Sequence, residues 1–165
     1  MKPIEVQYLR LGAAPPAKAA CQDGLDIRRE RLGVDDYLAL YRAVGAPWRW
    51  DQRLRMPAAE LAAYLSSEDC LIEVLHVESR AAGFCEFDRA GFPSAQLMNF
   101  GLLPAFMGRG YGRALLHRAL AGVFADGGTA VHLHTDEWDH PAALALYLQA
   151  GFVIERRQFE DPAEL

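Results

Sequence analysis

The chain has 165 residues, of which 52% are hydrophobic and 24% charged, and its formal net charge at pH 7 is −5. That length fits one ordinary domain spanning 1–165, because independent domains usually run to roughly 100–200 residues, and the balance is that of a soluble globular protein, not a disordered or fibrous one. The negative charge argues against broad nucleic-acid binding, which needs a basic surface, although a few arginines and backbone N–H groups gathered at one point can still hold a single polyanion.

An opening strand is expected over Ile4–Leu11, followed by the turn-forming GAAPP segment at Gly12–Pro16. Gly24 to Arg29 reads as a second short extended piece. Val34–Val44 places Leu38, Tyr41 and Val44 at helical spacing before Gly45, and Pro57 with AAELAAYL behind it predicts a second helix with Leu61, Tyr64 and Leu65 on one face. Cys70–Val77, Ala82–Asp88 and Gln96–Leu103 are three strands separated by turn-like ESR and RAGFPS segments, and they predict an antiparallel meander. Gly110–Ala125 carries a helical stripe of Leu115, Leu116, Ala119, Leu120 and Val123, closed by Asp126-Gly127-Gly128. A strand over Ala130–Thr135, a helix over Pro141–Ala150 ending at Gly151, and a last strand over Phe152–Phe159 complete the order.

No apolar run approaches the ~20 residues of a membrane-spanning helix; even Ala114–Phe124 is interrupted by His117 and Arg118. The start, MKPIEVQYLR, lacks the apolar stretch of a secretory signal, so a cytoplasmic protein without membrane association is expected. Cys21, Cys70 and Cys85 are odd in number and lack C-x-x-C spacing, which suggests neither a disulfide frame nor a structural zinc site. His132 and His134 share one strand face, with Asp136, Asp139 and His140 nearby, but the spacing is not that of a metal site and none is expected.

The segment Met107-Gly108-Arg109-Gly110-Tyr111-Gly112 lies between a strand and a helix. Its glycines allow close backbone approach, and a helix start supplies unpaired N–H groups suited to a pyrophosphate. A purely structural turn is an equal reading of this segment alone; neither the G-x-G-x-x-G spacing nor the Gly-Lys-Ser/Thr of a P-loop is present. Together with Arg113 after it, the segment resembles the Q/R-x-x-G-x-G/A motif of GNAT acetyltransferases, matching at Arg109, Gly110 and Gly112 and departing at Met107. Downstream, Asp139–Phe152 resembles the family's N-x-x-A-x-x-L-Y-x-x-x-G-F segment through Ala143, Leu146, Tyr147, Gly151 and Phe152, with His140 in place of Asn. Two motifs in order on the right elements are more specific than either alone.

The resemblance implies an α/β (α+β) fold with a mixed, mostly antiparallel sheet flanked by helices, and acetyl-CoA as cosubstrate without a metal. It implies that Phe100, Leu102 and Leu103 run beside the pantetheine arm, that Gly108, Arg109, Gly110, Tyr111, Gly112 and Arg113 cradle the pyrophosphate, and that His140 touches coenzyme A. A backbone N–H near Leu102 would stabilise the thioester oxygen. Tyr147 matches the tyrosine that protonates the departing thiolate; phenol and thiol values near ~10 and ~8.5 allow that transfer, while plain core packing is the alternative. The glutamate of histone-type members falls at Gln96, which cannot serve as a base. Glu86, a lone acid between apolar neighbours, is the first candidate, with an acid pointing to solvent or paired with an arginine as the equal alternative; His134, Asp136 and Glu137 are reserves. Trp48 and Trp50, among Arg49, Arg53 and Arg55, fall where the family forms its acceptor lip and are expected to wall an acceptor pocket or to pack on the helices. None of the cysteines has the context of a nucleophile. The expected reaction is direct acetyl transfer to a primary amine, with a small-molecule acceptor and a homodimeric assembly in keeping with family habit. Two alternatives stand beside it: an acyl-CoA sensing module without catalysis, and a protein or tRNA-borne amine as acceptor.

Overall fold

The computed structural model describes residues 2–16 and 25–162. In chain order the elements are β1 (Ile4–Leu11), β2 (Asp26–Arg29), α1 (Val34–Gly45), the single turn α2 (Gln52–Arg55), α3 (Ala58–Ser66), β3 (Cys70–Val77), β4 (Arg80–Asp88), β5 (Ser94–Leu102), α4 (Tyr111–Ala125), β6 (Ala130–Asp136), α5 (Ala143–Ala150) and β7 (Val153–Glu160). Short 3-10 turns occupy Ala46–Trp48 and Pro104–Phe106. The expected helices and strands are present with ends shifted by a few residues; α5 begins at Ala143 instead of Pro141, and α2 is an element that the sequence pattern does not predict. Cys21 and Gly24 lie outside the described residues.

The strands form one sheet in the order β2-β3-β4-β5-β6-β1-β7. β2 to β5 are antiparallel neighbours, β5 and β6 run parallel, and β1 lies antiparallel to both β6 and β7. The sheet is therefore mixed and mostly antiparallel, and Cys70–Asp88 with β5 is the predicted meander. β3 alternates Leu71 and Leu75 toward one core with Ile72 and Val74 toward the other, which is why it reads as a continuous apolar run. On the first side stands the predicted stripe of α4, with Leu115, Leu116, Ala119, Leu120 and Val123 all buried; on the second, Tyr37, Tyr41, Val44, Leu61 and Leu65 of α1 and α3. Tyr37, not Leu38, is the fully buried member of the first turn of α1.

Two irregularities interrupt the regular pairing of β5. The β4–β5 register passes from Phe87↔Leu97 to Glu86↔Asn99, so Met98 is an extra residue in β5. Such a bulge bends its strand and raises the local twist. On the other side, β5 pairs with β6 only at Ser94↔Ala130, Ala95↔Val131 and Gln96↔His132, although β5 continues to Leu102 and β6 to Asp136. The two strands thus part company at the bulge.

His117 on α4 is 2% exposed, and neither of its ring nitrogens has a hydrogen-bond partner among the described residues. Burial, then the nearby Arg113, holds its pKa below the usual histidine value, so the folded protein keeps the ring neutral. Below about pH 6.5 the unfolded chain takes up this proton more readily than the folded one, and stability falls as pH drops through that range, by at most about 1.4 kcal/mol per pH unit. His117→Leu is expected to reduce the loss of urea stability between pH 7.5 and 5.5; an equal loss in wild type and variant would refute this.

Candidate active site

Where β5 and β6 separate, a cleft of about 370 Å³ opens. One side is β5 from Leu97 to Leu102; the other is the end of β6 with His134 and Asp136, followed by the turn Trp138–His140. The start of α4 and residues Ala143, Leu146 and Tyr147 of α5 close one half, while Tyr41 and the segment Trp48–Gln52 close the other.

The glycine loop meets the cleft through backbone. Gly108 and Gly110 have φ of 76° and 80°, the left-handed region that glycine enters without steric cost, and Gly110 caps α4. The Ala114 N–H donates to the Gly110 carbonyl at 3.2 Å, so the N–H groups of the turn before it have no partner within the helix. Gly112 sits close against β5 and α5: a Cβ there would lie 3.6 Å from Leu102, 3.7 Å from Phe100 and 3.8 Å from Leu146. Of the predicted coenzyme A residues, Phe100, Leu102, Gly108, Gly110, Gly112, Arg113 and His140 line the cleft, as does the divergent Met107. Leu103, Arg109 and Tyr111 do not; the Leu103 N–H donates to the Ala82 carbonyl at 2.8 Å, and Tyr111 packs on the core.

Tyr147 faces the same cleft with 7% exposure, its ring centroid 6.0 Å from Phe100 and 5.9 Å from Phe152. Burial, then Asp139 and Cys85, pushes its pKa well above the usual tyrosine value. The hydroxyl is therefore a proton donor across the neutral range. Packing and a cleft position coincide in this residue.

Glu86 is elsewhere. It is fully buried behind the cleft wall, where Arg53 Nη2 donates to Oε1 at 2.5 Å, and the Tyr37 hydroxyl and Asn99 Nδ2 donate to Oε2 at 2.5 and 2.9 Å. This is the arginine-paired alternative for Glu86. A carboxylate enclosed by three donors has no path to a substrate amine, which removes the physical ground for expecting it to be the base. Gln96 is exposed at the last β5–β6 pair.

The predicted Trp48 and Trp50 both line the cleft. The Trp48 ring meets His140 edge-on at 4.9 Å, Trp50 lies 5.5 Å from Tyr41, and the Arg49 guanidinium stands 4.9 Å over Trp138. His140 also behaves as a turn residue, its Nδ1 accepting from the Ala142 N–H at 2.9 Å. Two arginines of this segment are held by acids: Arg53 by Glu86, and Arg55 by Asp51 at 3.3 Å. The acids Asp51, Asp136 and Asp139 line this half, while Glu137 does not. Thr135 Oγ1 donates to Asp139 at 2.6 Å, and burial nonetheless raises the Asp139 pKa from its ordinary value. Sequence reasoning missed Tyr41, Asn99 and Trp138 as cleft residues; only Trp138, a large aromatic in the polar turn 137–140, carried a visible signal.

Both described cysteines are weak nucleophiles, since burial, then Glu86, pushes the Cys70 thiol up to about 11 and burial, then Glu73, raises Cys85 well above its usual value. Among the described residues no group of three or more His, Cys, Asp or Glu is placed to hold a metal, and no helix is long and apolar enough to cross a membrane.

Gly101 lets the aromatic wall settle onto β5, because a Cβ there would lie 2.6 Å from Val44 Cγ1 and 3.5 Å from Trp50. Gly101→Ala is expected to lower stability by about 1–3 kcal/mol, as overpacking does, and to shift tryptophan emission. Unchanged chemical denaturation and emission would show that the wall does not rest on this glycine.

Comparison with known proteins agrees with this fold. A profile described as the Acetyltransferase (GNAT) family matches residues 37–152. No curated protein matches the chain. Among solved structures, a GCN5-related N-acetyltransferase from Sphaerobacter thermophilus has a TM-score of 0.70 and 21% identity over 96% of this chain and 51% of its own. A putative GNAT-family acetyltransferase from Novosphingobium aromaticivorans has a TM-score of 0.67 and 20% identity over 95% of this chain and 62% of its own. The ribosomal-protein-S18-alanine N-acetyltransferase from Escherichia coli has a TM-score of 0.61 and 21% identity over 77% of this chain and 76% of its own. The chain thus spans only 51% and 62% of the length of the first two, and at these identities the likeness is one of fold. With most of its length matched by the family profile, the chain belongs to the GNAT acetyltransferase family.

Proposed function

We propose that the protein transfers an acetyl group from acetyl-CoA to the primary amine of a small molecule by direct attack. The observation that carries this reading is the meeting, in one cleft, of the glycine-capped start of α4 with the Tyr147 hydroxyl. The unpaired N–H groups of the first turn of α4, with Arg113 beside them, suit a pyrophosphate, and the parted edge of β5 from Phe100 to Leu102 suits an amide-bearing arm.

The chemistry asks little of the protein beyond placement and the movement of protons. The amine nitrogen bonds to the thioester carbon, the carbon–sulfur bond breaks, and Tyr147 gives its proton to the departing sulfur. Asp136 and Asp139 take the role that Glu86 cannot: as the acids beside the β6 end of the cleft, they draw a protonated amine inward and take one proton, directly or through water, to free its lone pair; the second proton, shed by the nitrogen after attack, restores Tyr147 through water. The indoles of Trp48, Trp50 and Trp138 favour an acceptor with an apolar body, and the carboxylates favour one whose amine is cationic in solution.

Calorimetric titration of acetyl-CoA is expected to give micromolar-scale binding that is lost in Gly110→Trp, whose side chain would fill the helix start. Absence of binding by the wild type would end the proposal. Tyr147→Phe is expected to lower kcat about 100-fold in an amine panel while leaving acetyl-CoA affinity unchanged. Because the Tyr147 pKa lies well above its usual value, the wild-type rate should not decline between pH 7 and 9. A full rate in Tyr147→Phe would assign the proton to another group, and binding without turnover of any amine would favour a sensing module.

A further inference from the structure

We infer that the buried Arg53–Glu86 pair is a positioning device that holds the aromatic wall of the acceptor half of the cleft. The wall segment Trp48–Gln52 runs from the end of α1 into α2, a helix of four residues, Gln52–Arg55. One turn cannot sustain itself, since helix nucleation is unfavourable without tertiary contacts. The only buried side chain of α2 is an arginine: Arg53 is 5% exposed, while Leu54, the apolar residue next to it, is 39% exposed. The anchor of this turn is therefore a charge and not a hydrophobic side chain.

That anchor is directional. Arg53 Nη2 meets Glu86 Oε1 at 2.5 Å, its guanidinium lies 4.5 Å over the Tyr64 ring, and its backbone N–H is 3.5 Å from the hydroxyl of Tyr41, which itself lines the cleft. Burial opposes the Arg53 charge and Glu86 outweighs it, holding the pKa above the usual arginine value. Through its other oxygen Glu86 also binds Tyr37 of α1 and Asn99 of β5, another cleft residue. One carboxylate thus fixes α1, α2 and β5 relative to one another, with the wall segment between them.

Replacing both charges by apolar residues of similar volume avoids a lone buried charge, and emission quenching in the folded state then separates positioning from global stability. The role of the wall rests on the acetyltransferase reading; the test of its positioning does not, because all three tryptophans of the chain line the cleft and report on the wall directly. The double variant Arg53→Met with Glu86→Leu is compared with wild type by urea denaturation, acrylamide quenching of tryptophan emission and acetyl-CoA titration. The double variant is expected to fold with a lower urea midpoint, because the buried Tyr37 hydroxyl and Asn99 amide lose their acceptor, while its quenching constant in the folded protein rises about twofold as the wall loosens. Unchanged quenching in the folded double variant, whatever its midpoint, would overturn the inference. Should the double variant fail to fold, Glu86→Gln, which keeps shape and removes charge, is read by the same quenching: a rise in the folded protein supports positioning, and no change refutes it. If wild type binds no acetyl-CoA, the functional reading fails while the quenching comparison still decides this one.

Discussion

Two parallel strands that stop pairing leave backbone N–H and C=O groups facing a gap, and those groups need partners. In this protein β5 and β6 share three residue pairs and then diverge, with an extra residue in β5 at the point of departure. The functional half of the molecule is arranged around that gap. The last residues of β5 present main chain to it, α4 begins beside it, and the end of β6 with the turn after it forms its far bank. A sheet paired to its ends would have no cleft for α4 to face, whatever the side chains.

The side chains then divide the gap into two environments. Near α4 the lining is backbone and glycine, with Arg113 as the cation; near α1 it is indole, phenol and carboxylate, with Arg49 over Trp138. Tyr147 stands between apolar neighbours, Phe100 and Phe152, whose packing keeps its hydroxyl protonated. Glu86 shows the converse: burial beside Arg53 keeps that carboxylate in an ion pair and away from substrate. Two residues that look alike on paper as acid–base candidates are separated by the direction in which their strand or helix turns them.

What the sequence made legible was local. The stripe of α4, the glycine loop before it and the Tyr147-to-Phe152 segment are each short, periodic or turn-bound, and all stand where expected. α2 was invisible because a single turn has no period to detect and its buried residue is an arginine. The fate of Glu86 was open because its partners Arg53 and Asn99 lie 33 and 13 positions away and no local pattern ties them together. Trp138 and Asp139 entered the cleft through the direction of a turn, which composition does not encode.

The position of β1 between β6 and β7 has a bearing on how the chain comes into being. Its pairing partners are the most distant in sequence that the fold contains; Tyr8 and Glu160, which share a hydrogen bond, are 152 positions apart. During synthesis β1 therefore has no seat until β6 and β7, made well after it, have emerged. Its alternating Ile4, Val6, Leu9 and Leu11 are buried in the finished sheet and would meanwhile offer an unpaired apolar edge. Chaperone engagement should concentrate on that nascent segment, and the barrier to completing the sheet should lie in a late closure between strands far apart in sequence.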